Sequence, residues 1–252
     1  MSGIDYWKNE WWKVTDASQA TDTKPLLAPI YKENMYTSFY DVNTGEHLKD
    51  IQNGIDEAVA IEGRFADLLN EKTTYTEIKQ LGGITLGGNT VFEMIAATLY
   101  AEAGYKTPNS TESAAIYDVI ENRSKVRNNT IMEIIKRGDI YGYGSRDYKI
   151  ALAKGKGYEK KDYNVLRHNS ARIGAILGIT TSTDYSQGSY FWEATIYIDN
   201  PTKYPNNYFN KEGHGTTVGT RSKQITFFYT TRIGETQFMK YNPDIYPNKT
   251  WP

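Results

Sequence analysis

The chain contains no cysteine among its 252 residues. This absence excludes a disulfide framework, a zinc site built on thiolates and a cysteine nucleophile. Histidine is also scarce, because His47, His168 and His214 are the three present, and they form no His-Glu-x-x-His motif. The sequence therefore predicts no transition-metal site. His168, which lies close to Arg167 and Arg172, is predicted to be at the surface.

Long apolar segments are missing as well. No run reaches the roughly 18 apolar residues that a membrane-spanning helix needs, so no membrane span is predicted. The first residues, MSGIDYWKNEWWKVTD, lack the basic region and the apolar region of a secretory signal peptide. We therefore expect no conventional secretory leader in this chain.

Charge is unevenly distributed, although the formal net charge is −1. Residues 1–85 contain 14 acidic and 8 basic residues, whereas residues 86–252 contain the other 16 acidic and 21 basic residues. A glycine-rich stretch at 81–89, LGGITLGGN, lies where the sign changes, and it lacks the Gly-Lys-Ser/Thr ending of a phosphate-binding loop. We interpret it as a flexible joint between an acidic N-terminal extension (1–85) and a main domain (86–252). Helical spacing of apolar residues predicts one long helix in the extension, at 51–71.

The main domain is predicted to contain helices first and strands last. Its hydrophobic periodicity is 3.6 residues up to about residue 178, and later segments are rich in β-branched and aromatic residues. The predicted fold class is therefore α+β, mainly α. The first predicted helix ends near Glu102, and the second has Asn109 as its N-cap and Ile116 and Val119 on its inner face. A third helix is opened by a capping box of Thr130 and Glu133, and a fourth at 163–177 stops at Gly178. Extended segments are predicted at 189–199, 224–230 and 231–241.

Glu102 is the candidate catalytic residue. It continues the apolar face of its helix, three positions after Leu99. A carboxyl group on such a face is desolvated, and desolvation raises its pKa. A Glu that stays protonated near neutral pH can protonate the leaving oxygen of a glycosidic bond. The alternative is a partly exposed Glu at a helix end with no chemical role.

The aromatic composition agrees with a glycan as ligand. The chain contains 21 Tyr and 5 Trp. Buried Tyr hydroxyls need hydrogen-bond partners, so many of these rings are expected at the surface or in a cleft. There they could stack on the apolar faces of sugars. A general preference for Tyr in the composition is an equally good explanation.

The stretch LYAEAGYKTPNSTESAAIYDVIENRSKV resembles the catalytic segment of the spore-cortex-lytic type of bacterial cell-wall hydrolase. In that family a helix ending in Glu-Ala is followed by a polar turn and by a helix ending in Asn-Arg, here Glu102-Ala103 and Asn122-Arg123. Two later stretches are similar to the family pattern: DYSQGSYFWEAT at 184–195 and TRIGETQFMKY at 231–241. Where spore members of the family carry His in the later motif, this chain has Trp192-Glu193.

This resemblance implies a lysozyme-like domain that cleaves the β-1,4 bond between N-acetylmuramic acid and N-acetylglucosamine, without a cofactor. It implies that Glu102 is the general acid and, in a lytic transglycosylase, also the base. A hydrolase would need a second carboxylate, for which Glu193 and Asp147 are the candidates. The residues expected to contact the glycan are Tyr143, Ser145, Tyr148, Tyr190 and Trp192.

The expected partners follow from this substrate. Peptidoglycan lies outside the cytoplasm, so we expect export by a non-classical route, as for an antibacterial effector that is delivered into a target bacterium and is neutralised by an immunity protein. A non-enzymatic glycan-binding module is the alternative function. Nucleic acid is not an expected partner, because the Lys and Arg residues of the main domain are not clustered into a basic stripe.

Overall fold

A computed structural model describes residues 35–104, 106–138, 140–200, 202–203, 214–216, 224–244 and 246–247. These residues form a mixed α+β fold with two four-stranded sheets. Among them, no helix combines the length and the apolar character that crossing a membrane requires. Residues 1–34 of the predicted extension lie outside the described residues, and the division of the chain at residue 85 remains a prediction.

The first sheet is built from the part of the chain before the main helices. Its strands are β1 (Tyr36–Asp41), β2 (His47–Gln52), β3 (Glu57–Ile61) and β4 (Ile84–Gly87). Their spatial order is β2-β1-β3-β4, with β1 and β3 parallel and the other two pairs antiparallel. A 3-10 helix (Gly63–Leu68) and one short α-helix, α1 (Tyr75–Gln80), connect β3 to β4.

The helix predicted at 51–71 is wrong, because this segment forms the end of β2, all of β3 and the 3-10 helix. The cause is that β3 is buried on both of its faces. Ala58 and Ala60 face the main hydrophobic cluster, whereas Val59 and Ile61 face a second cluster around Phe39. A strand covered on both faces has a continuous apolar run, and such a run does not show the alternation that distinguishes a strand from a helix.

The flexible joint predicted at 81–89 is also wrong. Residues 84–87 form β4, which pairs with β3 at Thr85↔Val59 and Ile84↔Ala60. Leu86 is buried in the main hydrophobic cluster. The glycines at 87 and 88 then end the strand and begin the next helix, since Gly87 has a φ of +101° and Gly88 is the N-cap.

Five helices form the centre of the fold, and most of their predicted ends are confirmed. The Asn109 side chain accepts a hydrogen bond from the Glu112 N–H, and Thr130 and Glu133 form the expected capping box. The predicted stop of the fourth helix at Gly178 is wrong, because that helix continues to Thr180. A Cβ at Gly178 would lie 2.1 Å from the Tyr117 ring, so glycine is needed there for close packing. The helices are α2 (Asn89–Glu102), α3 (Ser110–Arg127), α4 (Ile131–Lys136), α5 (Arg146–Leu152) and α6 (Val165–Thr180), with a 3-10 turn at Lys160–Asp162 before α6.

The second sheet follows the helices and consists of β5 (Phe191–Ala194), β6 (His214–Thr216), β7 (Gln224–Ile233) and β8 (Thr236–Tyr241). Its order is β5-β8-β7-β6, and all neighbouring pairs are antiparallel. Strand structure is confirmed within 189–199, 224–230 and 231–241, but residues 195–199 form a short helix, α7 (Thr195–Asp199), instead of continuing the strand. The last two strands form a hairpin, whose turn contains Gly234 at a φ of +58°.

The main hydrophobic cluster joins the helices to both sheets. Ile116 and Val119, predicted on the inner face of α3, are completely buried in it. Tyr40 and Ala58 contribute from the first sheet, and Phe238 contributes from the second. The first sheet therefore shares its core with the helices.

Candidate active site

Glu102 is the last residue of α2, and its carboxylate is held by two N–H donors from distant parts of the chain. The backbone N–H of Gly142 donates to Oε1. The indole Nε1–H of Trp192 donates to Oε2 at 3.1 Å. Burial raises the pKa of Glu102 above its ordinary value, while these two hydrogen bonds and the charge of Arg123 oppose the rise. Burial and the hydrogen-bond donors therefore act in opposite directions on the pKa of this carboxyl group, and burial has the larger effect.

Gly142 is a contact that the sequence did not single out. It lies in the turn before α5, between Tyr141 and Tyr143. A Cβ at this position would be 2.8 Å from Cγ of Glu102 and 3.0 Å from Cβ of Ala101. The absence of a side chain therefore allows the backbone N–H to reach the carboxylate.

Arg123 links the Glu102 site to the segment that contains Trp192. The Arg123 side chain is 5% exposed, and its guanidinium carbon lies 4.8 Å from the centroid of the Trp192 ring. Its Nε donates to the backbone carbonyl of Tyr190 at 2.8 Å. The structure thus brings together residues from the two sequence stretches at 102–123 and 184–195.

The neighbouring residues of α3 hold the loop at 184–190. Asn122 donates from Nδ2 to the carbonyl of Ser189 at 3.2 Å, and Asp118 accepts from the Tyr185 N–H at 2.6 Å. Asp118 and Asn122 are four residues apart on the helix, so they face the same loop. Asp118 was not a candidate from the sequence, because an acidic residue inside a helix gives no local sign of the loop that it will contact.

The predicted glycan-contacting residues near α5 differ in their exposure. Tyr148 was expected in the groove, but it is 6% exposed and packs edge-on against Tyr143, with ring centroids 5.0 Å apart. Tyr148 therefore lies in the main hydrophobic cluster, and its contact with a glycan remains a prediction. Ser145 is the N-cap of α5 and accepts from the Tyr148 N–H at 3.2 Å, which leaves its hydroxyl proton for donation. Tyr143 is half-buried, whereas Tyr141 is 82% exposed.

The segment at 190–193 alternates as a strand. Tyr190 is half-buried, and its N–H donates to the carbonyl of Met239 at 3.0 Å. Phe191 packs on Phe227 and Tyr241, whereas Trp192 packs on the main cluster and contacts Glu102.

The two candidates for a second carboxylate lie in different settings. Strand alternation places Glu193 on the side of Phe191, opposite Trp192, and its Oε1 accepts from the Ala194 N–H. Asp147 on α5 forms an ion pair with the buried Arg167, with 3.3 Å between Oδ2 and Nη1. The same Arg167 donates to the carbonyl of Ala103 at 3.1 Å. Arg167 therefore connects Asp147 to the residue that follows Glu102.

A separate buried network lies on the opposite face of α2. Glu93 is nine residues before Glu102, which corresponds to about half a turn of rotation around the helix axis. Glu93 accepts from Arg172 at 2.8 Å and from the Tyr40 hydroxyl at 2.7 Å. His168, predicted at the surface, is instead completely buried, 3.5 Å from Glu93. The prediction failed because its neighbours Arg167 and Arg172 are themselves buried, at 4% and 3% exposure.

The charged groups of this network are neutralised within it. Although burial opposes ionisation, the contacts with His168, Arg172 and Tyr40 hold the pKa of Glu93 well below its usual range. Burial lowers the pKa of His168, and its Nδ1 lies 2.9 Å from the Tyr163 hydroxyl. The network connects β1, α2 and α6, and we assign it to stability.

Within the described ranges, no group of three His, Asp or Glu side chains is placed to hold a metal ion.

In comparisons with known proteins, no family model, no curated protein and no solved structure matches this chain. The assignment of a function therefore depends on the residues and geometry described above.

Proposed function

We propose that this protein cleaves the glycan strands of peptidoglycan with Glu102 as general acid and base, in a lysozyme-like arrangement. The observation that carries the proposal is the environment of Glu102, a desolvated carboxyl group with a raised pKa that is held by fixed N–H donors at the end of α2. A second observation supports the proposal. The two sequence stretches that resemble the cell-wall hydrolases lie in contact, because Arg123 of the first packs on Trp192 and binds the Tyr190 carbonyl of the second.

In the proposed reaction, the protonated Glu102 donates its proton to the oxygen that leaves the N-acetylmuramic acid unit. The ionised carboxylate then takes a proton from the hydroxyl of the same sugar, which closes on the anomeric carbon to give an anhydro product. A general acid of this kind contributes about 10²- to 10⁴-fold to the rate. The fixed donors favour the ionised form after the first step and orient the carboxylate for the second.

Two observations favour a single-carboxylate transglycosylase over a two-carboxylate hydrolase. Asp147 is held by Arg167, and Glu193 projects to the side of β5 that is opposite Trp192. Neither carboxylate therefore has the setting of a free nucleophile or base beside Glu102. Delivery as an antibacterial effector, with an immunity protein as partner, remains part of this proposal.

The test is mass spectrometry of muropeptides released from purified sacculi. We expect the wild-type protein to release products that end in anhydro-muramic acid, and Glu102→Gln to lower the rate by at least about 10²-fold, because the amide is nearly isosteric but cannot donate the proton. Glu193→Gln is the matched control and is expected to leave the anhydro product intact. Circular dichroism of each variant checks the fold.

Three results would contradict parts of the proposal. Activity of Glu102→Gln within a few-fold of wild type would remove the assignment of Glu102. Reducing-end products that disappear in Glu193→Gln would replace the transglycosylase with a hydrolase. Binding to sacculi without release of any soluble fragment would favour the alternative function, a glycan-binding module.

A further inference from the structure

Both oxygens of the Glu102 carboxylate accept a hydrogen bond from a rigid donor. Oε1 accepts from the backbone N–H of Gly142, and Oε2 accepts from the indole of Trp192. A carboxylate with both oxygens occupied in this way cannot rotate freely about its last side-chain bond. A proton carried by Glu102 must then occupy a remaining lone pair, so its direction is also defined.

The indole of Trp192 is itself held in place. The Arg123 guanidinium lies over its ring at 4.8 Å, and the same guanidinium binds the carbonyl of Tyr190 just before β5. Trp192 is also partly buried against the main hydrophobic cluster. Arg123 therefore fixes both the ring and the backbone that carries it.

The charged groups around the end of α2 come from three other helices and from the turn between β7 and β8, where Glu235 packs against Gly104. Arg123 of α3 favours the ionised form of Glu102. Arg167 of α6 and Asp147 of α5 form a pair beside Ala103. Glu112, also on α3, is buried against Gly104. Among the neutral groups, Gly142 and Trp192 donate to the carboxylate directly, and of these two Trp192 alone donates from a side chain that can be replaced.

We propose that Trp192 is a positioning residue for Glu102: its indole N–H holds the carboxylate, and Arg123 holds the indole. This inference rests on the proposed function for the chemical role of Glu102. It changes the role expected for Trp192 from the sequence, where its ring was assigned to the glycan. The Trp192 ring packs on the main hydrophobic cluster and on Arg123, and this packing supports the hydrogen bond from its N–H to Glu102. Stacking on sugars is then expected of more exposed rings such as Tyr141.

The first test measures Glu102 without substrate. In protein labelled with ¹³C at the Glu carboxyl groups, Glu102→Gln assigns the Glu102 signal, and a pH titration gives its pKa. Trp192→Phe keeps an aromatic ring but removes the donor, so we expect the pKa of Glu102 to rise by about one pH unit, the scale of a hydrogen bond to a charged group. Phe228→Leu, which changes an exposed aromatic residue of β7, is the control and should leave this pKa unchanged. An equal pKa in Trp192→Phe and wild type would overturn the proposal.

The second test separates positioning from glycan stacking by kinetics on soluble peptidoglycan fragments. A positioning role predicts that Trp192→Phe lowers kcat at least tenfold, shifts the alkaline limb of the pH–rate profile upward by the same pH unit and changes KM little. A raised KM with an unchanged kcat and pH profile would overturn the proposal in favour of stacking. If the wild-type protein cleaves no peptidoglycan, the proposed function fails, whereas the titration still decides whether Trp192 controls Glu102.

If Trp192→Phe does not fold, a third measurement on the wild-type protein still tests the proposal. In wild-type protein, the ¹⁵N–¹H signal of the Trp192 indole should titrate with the pKa of Glu102, and in Glu102→Gln this titration should disappear. An indole signal that shows no titration in wild-type protein would overturn the proposal.

Discussion

Asp118 provides the most quantitative test of the structure, because it is an acid buried between α3 and the loop that precedes β5. Its side chain is 3% exposed, and Oδ2 accepts from the Tyr185 N–H. Burial, together with the nearby charges of Asp184 and Glu121, raises the pKa of Asp118 from 3.8 to about 7. Above about pH 7 the folded protein therefore carries a charge in an unfavourable place.

The direction of the effect follows from the two pKa values. The folded state binds the proton more tightly than the unfolded state, so this contribution to stability is present below about pH 4 and is lost as the pH rises to about 7. A difference of about three pH units, at 1.36 kcal/mol for each, gives an upper bound of about 4 kcal/mol. We expect Asp118→Asn, which keeps an acceptor for Tyr185 and carries no charge, to raise the free energy of unfolding by about 2–4 kcal/mol at pH 8 and by little at pH 4.

Urea denaturation at pH 4, 6 and 8, followed by tryptophan fluorescence, measures this difference if the m-values of the two proteins agree. Asp50→Asn is the control of opposite sign. Although burial opposes it, hydrogen bonds from Ser38 and His47 hold the pKa of Asp50 below its usual value, so that variant should lose stability at neutral pH. A gain in Asp118→Asn that is the same at pH 4 and pH 8 would refute the reasoning, because a pKa effect must depend on pH.

Two further substitutions test the site and the core. Gly142→Ala places a methyl group against Cγ of Glu102 and should displace the carboxylate. We therefore expect the rate of muropeptide release to fall by about tenfold or more while the circular dichroism spectrum is retained. An unchanged rate would contradict the described contact. Val119→Ala removes two methyl groups from a completely buried site on α3, so it should lower the free energy of unfolding by more than about 1 kcal/mol in thermal or urea melts. An unchanged melt would show that the inner face of α3 is misassigned.

Helix positions in the main domain could be predicted from the sequence because their signals are local. Asn109 and the Thr130–Glu133 pair form hydrogen bonds within one turn of their own helices, so their spacing is sufficient to identify them. The inner face of α3 follows from a 3.6-residue period in the same way. These features do not depend on which distant residues pack against them.

The errors arise where distant residues decide the structure. The continuous apolar run of β3 results from two different clusters on its two faces, and Gly178 continues its helix because the Tyr117 ring packs against it. His168 appears polar in a local window, but Glu93, 75 positions earlier, contacts it. For the candidate site, Glu102 could be selected from helix periodicity and resemblance, whereas its donor Gly142 could not, since a backbone N–H has no sequence signature.

Two buried glutamates, compared with the half-buried Glu102, show why the environment, and not burial alone, identifies the candidate acid. Glu93 is neutralised by Arg172 and other contacts, so its pKa is lowered and it is a structural anion. Burial also raises the pKa of Glu112, but this residue is completely buried. Its Oε1 accepts hydrogen bonds from the backbone N–H of Glu235 and from the Thr236 hydroxyl, and these bonds hold the hairpin between β7 and β8.

Glu102 differs from both. Its residue is half-buried, its pKa is raised, and its partners are two N–H donors that stabilise the anion without neutralising it by direct contact with a cation. A general acid and base needs both protonation states within reach of neutral pH and a path to the substrate. An anion held by a buried arginine, such as Glu93, lacks the first, and a completely buried carboxyl such as Glu112 lacks the second. Among these three residues, Glu102 is the one that combines a raised pKa with partial exposure, which is why we propose it as the acid and base.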